Sequence, residues 1–361
     1  MENNEIKLTE FTKGGGCGCK IPPGELKELL KDVVVMDSEL LLVGNSKTDD
    51  AAVYTLNDSL CLISTCDFFT PIVDSPYDFG RIAAANAISD VYAMGGKPIL
   101  ALSILAWPTS VLQIHIASEV LKGATEICKL AGITLAGGHS IENKEPIFGL
   151  AVNGIVDKNK IKRNNTAHEN DLIFLTKPIG SGILATALKR GLDSAHFMDD
   201  FITSSCALNL IGEKLGGIEA VSAMTDVTGF GLLGHLIEMT DKGRISATIN
   251  YQNVPLLKGV KELSEAWVYP DNTMRNWKMY GENVSGIEGA TLLTMCDPQT
   301  NGGLLFSVDP TKKTRLSPFL KWRKFHYSKL VSSLKQRIWR LLSNKWINKQ
   351  MRFFRCLDWQ R

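Results

Sequence analysis

Between residues 60 and 157, short apolar runs alternate with segments of helical period, and this limits the possible folds more than any other feature. Residues 61–66, 99–107 and 147–156 have the length and composition of strands. Residues 79–94 and 111–131 place their apolar side chains at helical spacing. Such alternation predicts a compact α/β or α+β domain ending near residue 157, with the polar stretch 158–170 as linker. A second unit follows with strands at 172–176, 221–225, 246–251 and 304–308, a helix opening after Gly180-Ser181-Gly182 and another over 232–239. The expectation is a mixed α+β / α/β chain of two domains, 25–157 and 170–311, preceded by a mobile glycine-rich segment (1–24) and followed by a tail (312–361).

At 361 residues and 44% hydrophobic, the chain can bury a core in each unit, which excludes a disordered or fibrous protein. The longest apolar run, 98–107, is too short to span a membrane, and the polar MENNEIKLTE opening is no signal peptide. A cytoplasmic protein without membrane attachment is expected. Of the eight cysteines, Cys61, Cys66, Cys128, Cys206, Cys296 and Cys356 are scattered and read as buried thiols.

The acidic residues carry the strongest chemical signal. Asp49-Asp50 precedes Ala51-Ala52 and can lie exposed at a strand entrance, Asp67 follows a strand, and Asp226 ends one. Asp90 stands four residues after Asn86, on the same helix face. Any one of these acids could be a cap or turn residue. Together they suit a hard cation, and Mg²⁺ joins one or two carboxylates to substrate phosphates.

The glycine motifs add less. Gly229-Phe230-Gly231-Leu232-Leu233-Gly234 matches a dinucleotide fingerprint, but positions 250–252 offer Asn, Tyr and Gln in place of the ribose-binding acid. A tight turn beside Asp226 fits better. Gly137-Gly138-His139-Ser140 reads equally as an approach to phosphate or adenine and as a plain turn. There is no P-loop, because Gly96-Lys97 has Val91 where the first glycine belongs. The segment Gly14–Lys20, GGGCGCK, provides two thiols and no second pair at zinc spacing. Lys20, three residues after Cys17, would lower a thiol pKa, and the glycines would supply the mobility of a lid. A disordered terminus is the alternative.

Taken in order, the stretches LTEFTKGGGCGCKIPP, VGNSKTDDAAVY, STCDFFTPIVDSPYDFGRIAAANAISDVYAMGGKP, LAGGHSIENKEPIFGLAVNGIV, AMTDVTGFGLLGHL and CDPQTNGGLL resemble the selenophosphate synthetase (selenide, water dikinase) family over about residues 6–309. The wider superfamily, with aminoimidazole ribonucleotide synthetase and thiamine-monophosphate kinase, is similar in the acidic motifs and lacks the Gly-Cys-Gly-Cys-Lys segment. The resemblance implies an aminoimidazole ribonucleotide synthetase-like fold, with an N-terminal sheet domain that forms a homodimer and a C-terminal α+β domain. It implies that ATP, selenide and water give selenophosphate, AMP and phosphate, supplying selenium for selenocysteine and seleno-tRNA synthesis. By the same resemblance, Cys17 handles selenium and Lys20 contacts the phosphates. Asp50, Asp90 and Asp226 bind Mg²⁺. Lys20, Lys47, Thr48, Asp49, Asp67, Asp90, Gly138, His139 and Ser140 contact ATP. A kinase for another small molecule is the rival within the superfamily, and Cys17 with Lys20 argues against it.

The end of the chain departs from this pattern. Residues 312–361 hold fifteen of the forty basic side chains, a single acid (Asp358) and four of the seven tryptophans, so they carry about +14 against about −12 for the rest. A basic, aromatic arm can bind RNA, and residues 330–342 could form one amphipathic helix. A reading-frame change near residue 313 explains the composition more simply. Either way, loss of the family's last strand is expected to leave a sheet edge open.

Overall fold

The computed structural model describes residues 6–315 except 13, 22, 34–37, 45–48, 193–194 and 242–243, together with 328–330, 335–336 and 357–360. Strands β1 (Leu41–Val43), β2 (Ala52–Thr55), β3 (Leu60–Phe69), β4 (Lys97–Trp107), β5 (Thr134–Glu142) and β6 (Ile147–Asp157) form one sheet in the order β1-β2-β3-β6-β4-β5. Its neighbours are antiparallel except β4 and β5, which run parallel. A short helix, α1 (Pro23–Leu30), precedes the sheet, and α2 (Pro76–Ala93) and α3 (Ile114–Leu130) cover one face of it.

Helix α2 starts where the chain says it should. Ser75 caps it by accepting the Asp78 N–H at 3.2 Å, and Pro76 occupies the first turn. Its run of small residues lets α3 approach closely. A Cβ at Gly80 would fall 1.9 Å from the Val120 carbonyl oxygen, and one at Gly123 would fall 2.0 Å from that of Tyr77. Phe79 sits edge-on to Phe69 and Phe148 in the buried layer beneath, with ring centroids 6.0 and 6.3 Å away. The opposite sheet face is apolar but uncovered, with Tyr54, Phe68, Leu102 and Ile141 all exposed. Cys66 lies there too, so it is an exposed thiol and not a buried one.

The second domain contains β7 (Leu172–Leu175), β8 (Val221–Asp226), β9 (Ile245–Asn250) and β10 (Leu304–Val308). β10 pairs antiparallel with both β7 and β8. Its helices are α4 (Ser181–Lys189), α5 (Ala195–Cys206), α6 (Ile211–Gly216), α7 (Gly231–Met239), α8 (Val260–Glu265), α9 (Asp271–Tyr280) and α10 (Gly289–Met295). In the tail, β11 (Ser328–Leu330) pairs with β7, while β12 (Lys335–Gln336) and β13 (Leu357–Gln360) pair with β9. The β7 edge is therefore covered, and 335–336 is extended where the sequence suggested a helix. Trp322, Trp339, Trp346 and Cys356 lie outside the described residues.

Most of the anticipated strands are present within a few residues. The strand entered at Asp49-Asp50 is β2, whereas β1 and β5 have no counterpart in the sequence reading. β1 is too short for a period to show, and the central glycines of β5 carry no apolar signal. Gly137 to Ser140 accordingly form neither a loop nor a turn but the middle of β5.

Candidate active site

Lys20 follows a 3₁₀ turn, Gly16–Cys19, and its Nζ lies 3.1 Å from Asp67 Oδ1 and 3.2 Å from Oδ2. Asp67 is inside β3 and not beyond its end, and it points toward the helix layer. There Asn86 of α2 donates to its Oδ2 at 2.7 Å. One helical turn further, Asp90 accepts from Thr65 Oγ1 at 2.5 Å. Residues 86 and 90 share a face of α2, as their spacing requires, and that face meets β3.

The other two acids come one from each domain. Asp226 closes β8 and is held by Ser89 of α2. Asp50, at the entrance to β2, accepts from Thr225 Oγ1 at 2.7 Å, so the two domains meet here. Asp50 is not exposed as the sequence suggested. Burial pushes its carboxyl well above the usual range, and the charges of Asp226 and Asp90 push it further. Asp90 is raised by burial and then by Asp226 and Asp67, with Lys20 opposing. Burial holds Asp226 at about 6, while Ser89 and Lys20 pull it down.

These shifts record several buried carboxylates crowded together, with Lys20 and Lys177 nearby. Asp50 Oδ2 and Asp226 Oδ2 are buried and accept no hydrogen bond within the protein. Among the described residues no three His, Cys, Asp or Glu side chains converge as a ready-made metal cage. Mg²⁺ seldom uses one, since phosphate oxygens and water complete its shell. Unsatisfied, mutually repelling carboxylate oxygens fit a divalent cation that arrives with a polyphosphate.

Other candidate residues lie elsewhere. Asp49 Oδ1 accepts the Asn164 N–H at 2.9 Å and so ties the interdomain linker down. Lys47 and Thr48 are outside the described residues, as are the side chains of Cys17 and Cys19. Gly138 is three strands from Asp67 along the row Asp67–Leu150–Ser103–Gly138. That places it about 14 Å away at ordinary strand spacing. Gly138, His139 and Ser140 thus stand apart from the carboxylates of their own chain, on the exposed edge strand.

The GxGxxG segment serves the turn. Gly231 has φ +71°, and a Cβ there would fall 2.8 Å from the carbonyl carbon of Cys296, too close for any side chain. His235, four residues on, accepts the Thr228 N–H at 3.0 Å through Nε2 and stacks on Phe230. Burial lowers its pKa to about 3, so it is a neutral support for the loop after Asp226.

Residues with no signature in the sequence hold the site together. The Asn301 N–H donates to Asn86 Oδ1 at 2.7 Å, and Asn301 itself is held at φ +49°. Lys177 donates to the carbonyls of Ala207 and Asn301 at 2.7 and 2.9 Å, and burial lowers it to about 7. Only the Thr-Asn-Gly-Gly run at 300–303 hinted at a special backbone here.

Residues 48–156 match the AIR synthase related protein N-terminal domain, and residues 168–323 match the corresponding C-terminal domain. The selenide, water dikinase of Colwellia psychrerythraea is 50% identical over 309 residues, covering 85% of this chain and 90% of that one. The selenide, water dikinase of Escherichia coli K12 is 49% identical over 312 residues, covering 86% and 90%. Among solved structures, the thiamine monophosphate kinase of Aquifex aeolicus superposes with TM-score 0.60 at 15% identity over 87% of this chain and 93% of that one. The hydrogenase maturation protein HypE in complex with ATP gives 0.57 at 17% identity over 91% and 89%, which establishes the shared fold. The chain belongs to the selenide, water dikinase family, within the AIR synthase related proteins.

Proposed function

We propose that this protein converts ATP, selenide and water to selenophosphate, AMP and phosphate, using the cluster around Asp67 to hold the reacting phosphates. The observation that carries the reading is Lys20, from the Gly-Cys-Gly-Cys-Lys segment, seated on Asp67 beside the buried carboxylates. Asp50, Asp90 and Asp226 would hold Mg²⁺, which supplies charge neutralisation for the transferring phosphoryl groups. Lys20 neutralises phosphate oxygens from the other side, and Asp67 and Asn86 orient it. The glycine-rich segment, closed over the cluster, excludes bulk water and brings Cys17 to the phosphates, where it holds or delivers selenium. Lys47, Thr48 and Asp49 are assigned to the nucleotide.

The exposed apolar face of the N-terminal sheet suits pairing with a second copy, and a homodimer is the state we assign. Gly138, His139 and Ser140, remote from their own carboxylates, would then contact nucleotide across that pairing. No helix among the described residues is long and apolar enough to cross a membrane. We place the enzyme in the cytoplasm, where a thiol such as Cys17 stays reduced.

The test is anaerobic AMP formation from ATP and Mg²⁺, with and without selenide, in the wild type and in Cys17→Ser. Selenide-dependent AMP that collapses in the variant is expected. A folded wild type that makes AMP equally without selenide would refute the reading, and full activity in Cys17→Ser would remove Cys17 from the mechanism.

A further inference from the structure

The segment that carries Cys17 and Lys20 is docked, and its contacts show what holds it. Thr9 bonds Asp74 through both its N–H and its hydroxyl, which fixes the residues before it. The Gly16 N–H donates to the Thr70 carbonyl at 2.9 Å, and Gly16, at φ +59°, sits against Ile72 and Thr300. Gly14, Gly15 and Gly18 border a cavity of about 610 Å³, walled on the far side by Arg190, Asp271 and Arg275. Glycines have no side chain to bury, so polar contacts weigh heavily in keeping this run closed.

Lys189, the last residue of α4, supplies those at the start of the run. Its Nζ donates to the Thr12 carbonyl at 2.7 Å and the Gly14 carbonyl at 3.2 Å, with Thr12 Oγ1 at 3.5 Å. Thr12 Oγ1 in turn donates to the Gly14 carbonyl at 2.6 Å, which shapes the chain so that both carbonyls face the ammonium. The lysine comes from the C-terminal domain and grips the segment three to five residues before Cys17. α4 is itself fixed at its start, where Gln299 accepts from the Gly180 and Ser181 N–H groups and Asp297 accepts from Gly182. Gln299 and Asp297 belong to the same loop as Thr300 and Asn301, so the latch and the carboxylate cluster share one support.

We propose that Lys189 is a positioning residue. By charge-assisted hydrogen bonds to Thr12 and Gly14, it holds the catalytic segment closed, with Lys20 on Asp67. The inference rests on the proposed roles of Cys17 and Lys20, but the docking itself can be read without any selenium chemistry.

The experiment compares wild type, Lys189→Met and Lys189→Arg by hydrogen exchange of the peptide covering residues 12–19 and by steady-state kinetics with selenide. Losing the latch raises the open population about tenfold, the scale of one good hydrogen-bonding contact. Exchange at the Gly16 amide therefore speeds up about tenfold in Lys189→Met, and kcat falls by a similar factor with KM for ATP moving less. Lys189→Arg, which keeps a cation at the same reach, restores both, a rescue that general destabilisation would not give. If Lys189→Met does not fold, Lys189→Gln provides the same comparison. Unchanged exchange in a folded neutral variant would overturn the proposal. Faster exchange with no selenide-dependent activity in the wild type would uphold the latch and refute the proposed function instead.

Discussion

Asn86→Ala is the substitution that best tests how the cluster is assembled. Asn86 is fully buried and serves two partners in different domains: it donates to Asp67 and accepts from the Asn301 N–H. Truncation leaves the Asn301 N–H buried without this acceptor, which costs about 1–3 kcal/mol. Asp67 loses a charge-assisted bond worth about 1.5 kcal/mol, at the low end because its side chain keeps 14% of its exposure. The space left by the amide adds about 1 kcal/mol. These contributions belong to one network and do not simply add, so a total loss of about 3–5 kcal/mol is expected. Equilibrium urea unfolding reads it directly. Asn86→Asp is the control, because it keeps an acceptor for Asn301 but sets a second carboxylate against Asp67, and it should cost at least as much at neutral pH. A loss below about 1 kcal/mol in Asn86→Ala would mean that this bridge does not join the domains, and the reasoning would fail.

Three further outcomes follow from the same geometry. Asp226→Asn should lower selenide-dependent AMP formation at least about 100-fold. Without Mg²⁺ it should leave thermal stability unchanged or slightly higher, because one of several mutually repelling buried charges is gone; a large fall in Tm would contradict the crowding. Gly16→Ala should cut turnover at nearly constant Tm, since its Cβ would lie 2.5 Å from Ile72 Cγ2 and from Thr300 Oγ1 at a left-handed φ. The strain is about 1–2 kcal/mol before the contacts are counted, and wild-type turnover would refute the docked segment. Burial raises the Asp297 carboxyl to about 8 despite the hydrogen bonds it accepts from Gly182 and Gln299. The folded protein then binds a proton that the unfolded chain releases above about pH 4, so this stability is full at low pH and is lost as pH rises to about 8. Thermal melts at about pH 6 and 8.5 should show a drop in the wild type that Asp297→Asn lacks; parallel slopes would count against it.

The sequence by itself marked most of the elements and the residues proposed to carry the chemistry. Helical period marked α2 and α3, apolar runs marked β3, β4 and β6, and Asp226 was already legible as the end of β8. The spacing of Asn86 and Asp90 put both on one helix face, and the Gly-Cys-Gly-Cys-Lys segment separated this family from its relatives. Local periodicity could do this because each such pattern is written within a few residues of itself.

What the tertiary structure alone decided was who meets whom. Asp50 meets Thr225 across 175 positions, the Asn301 amide meets Asn86 across 215, and Lys189 reaches Thr12 across 177. Nothing near any of these residues names its partner, because the partner is chosen by sheet register and by the packing of one domain on the other. The same cause sets Gly138, His139 and Ser140 apart from the carboxylate cluster. A glycine-rich motif announces close backbone approach, but only the strand order β3-β6-β4-β5 places that approach three strands from Asp67. Burial did the rest: a carboxylate reads the same in any sequence, and only its loss of water beside two others raises its pKa and marks it as a candidate cation ligand.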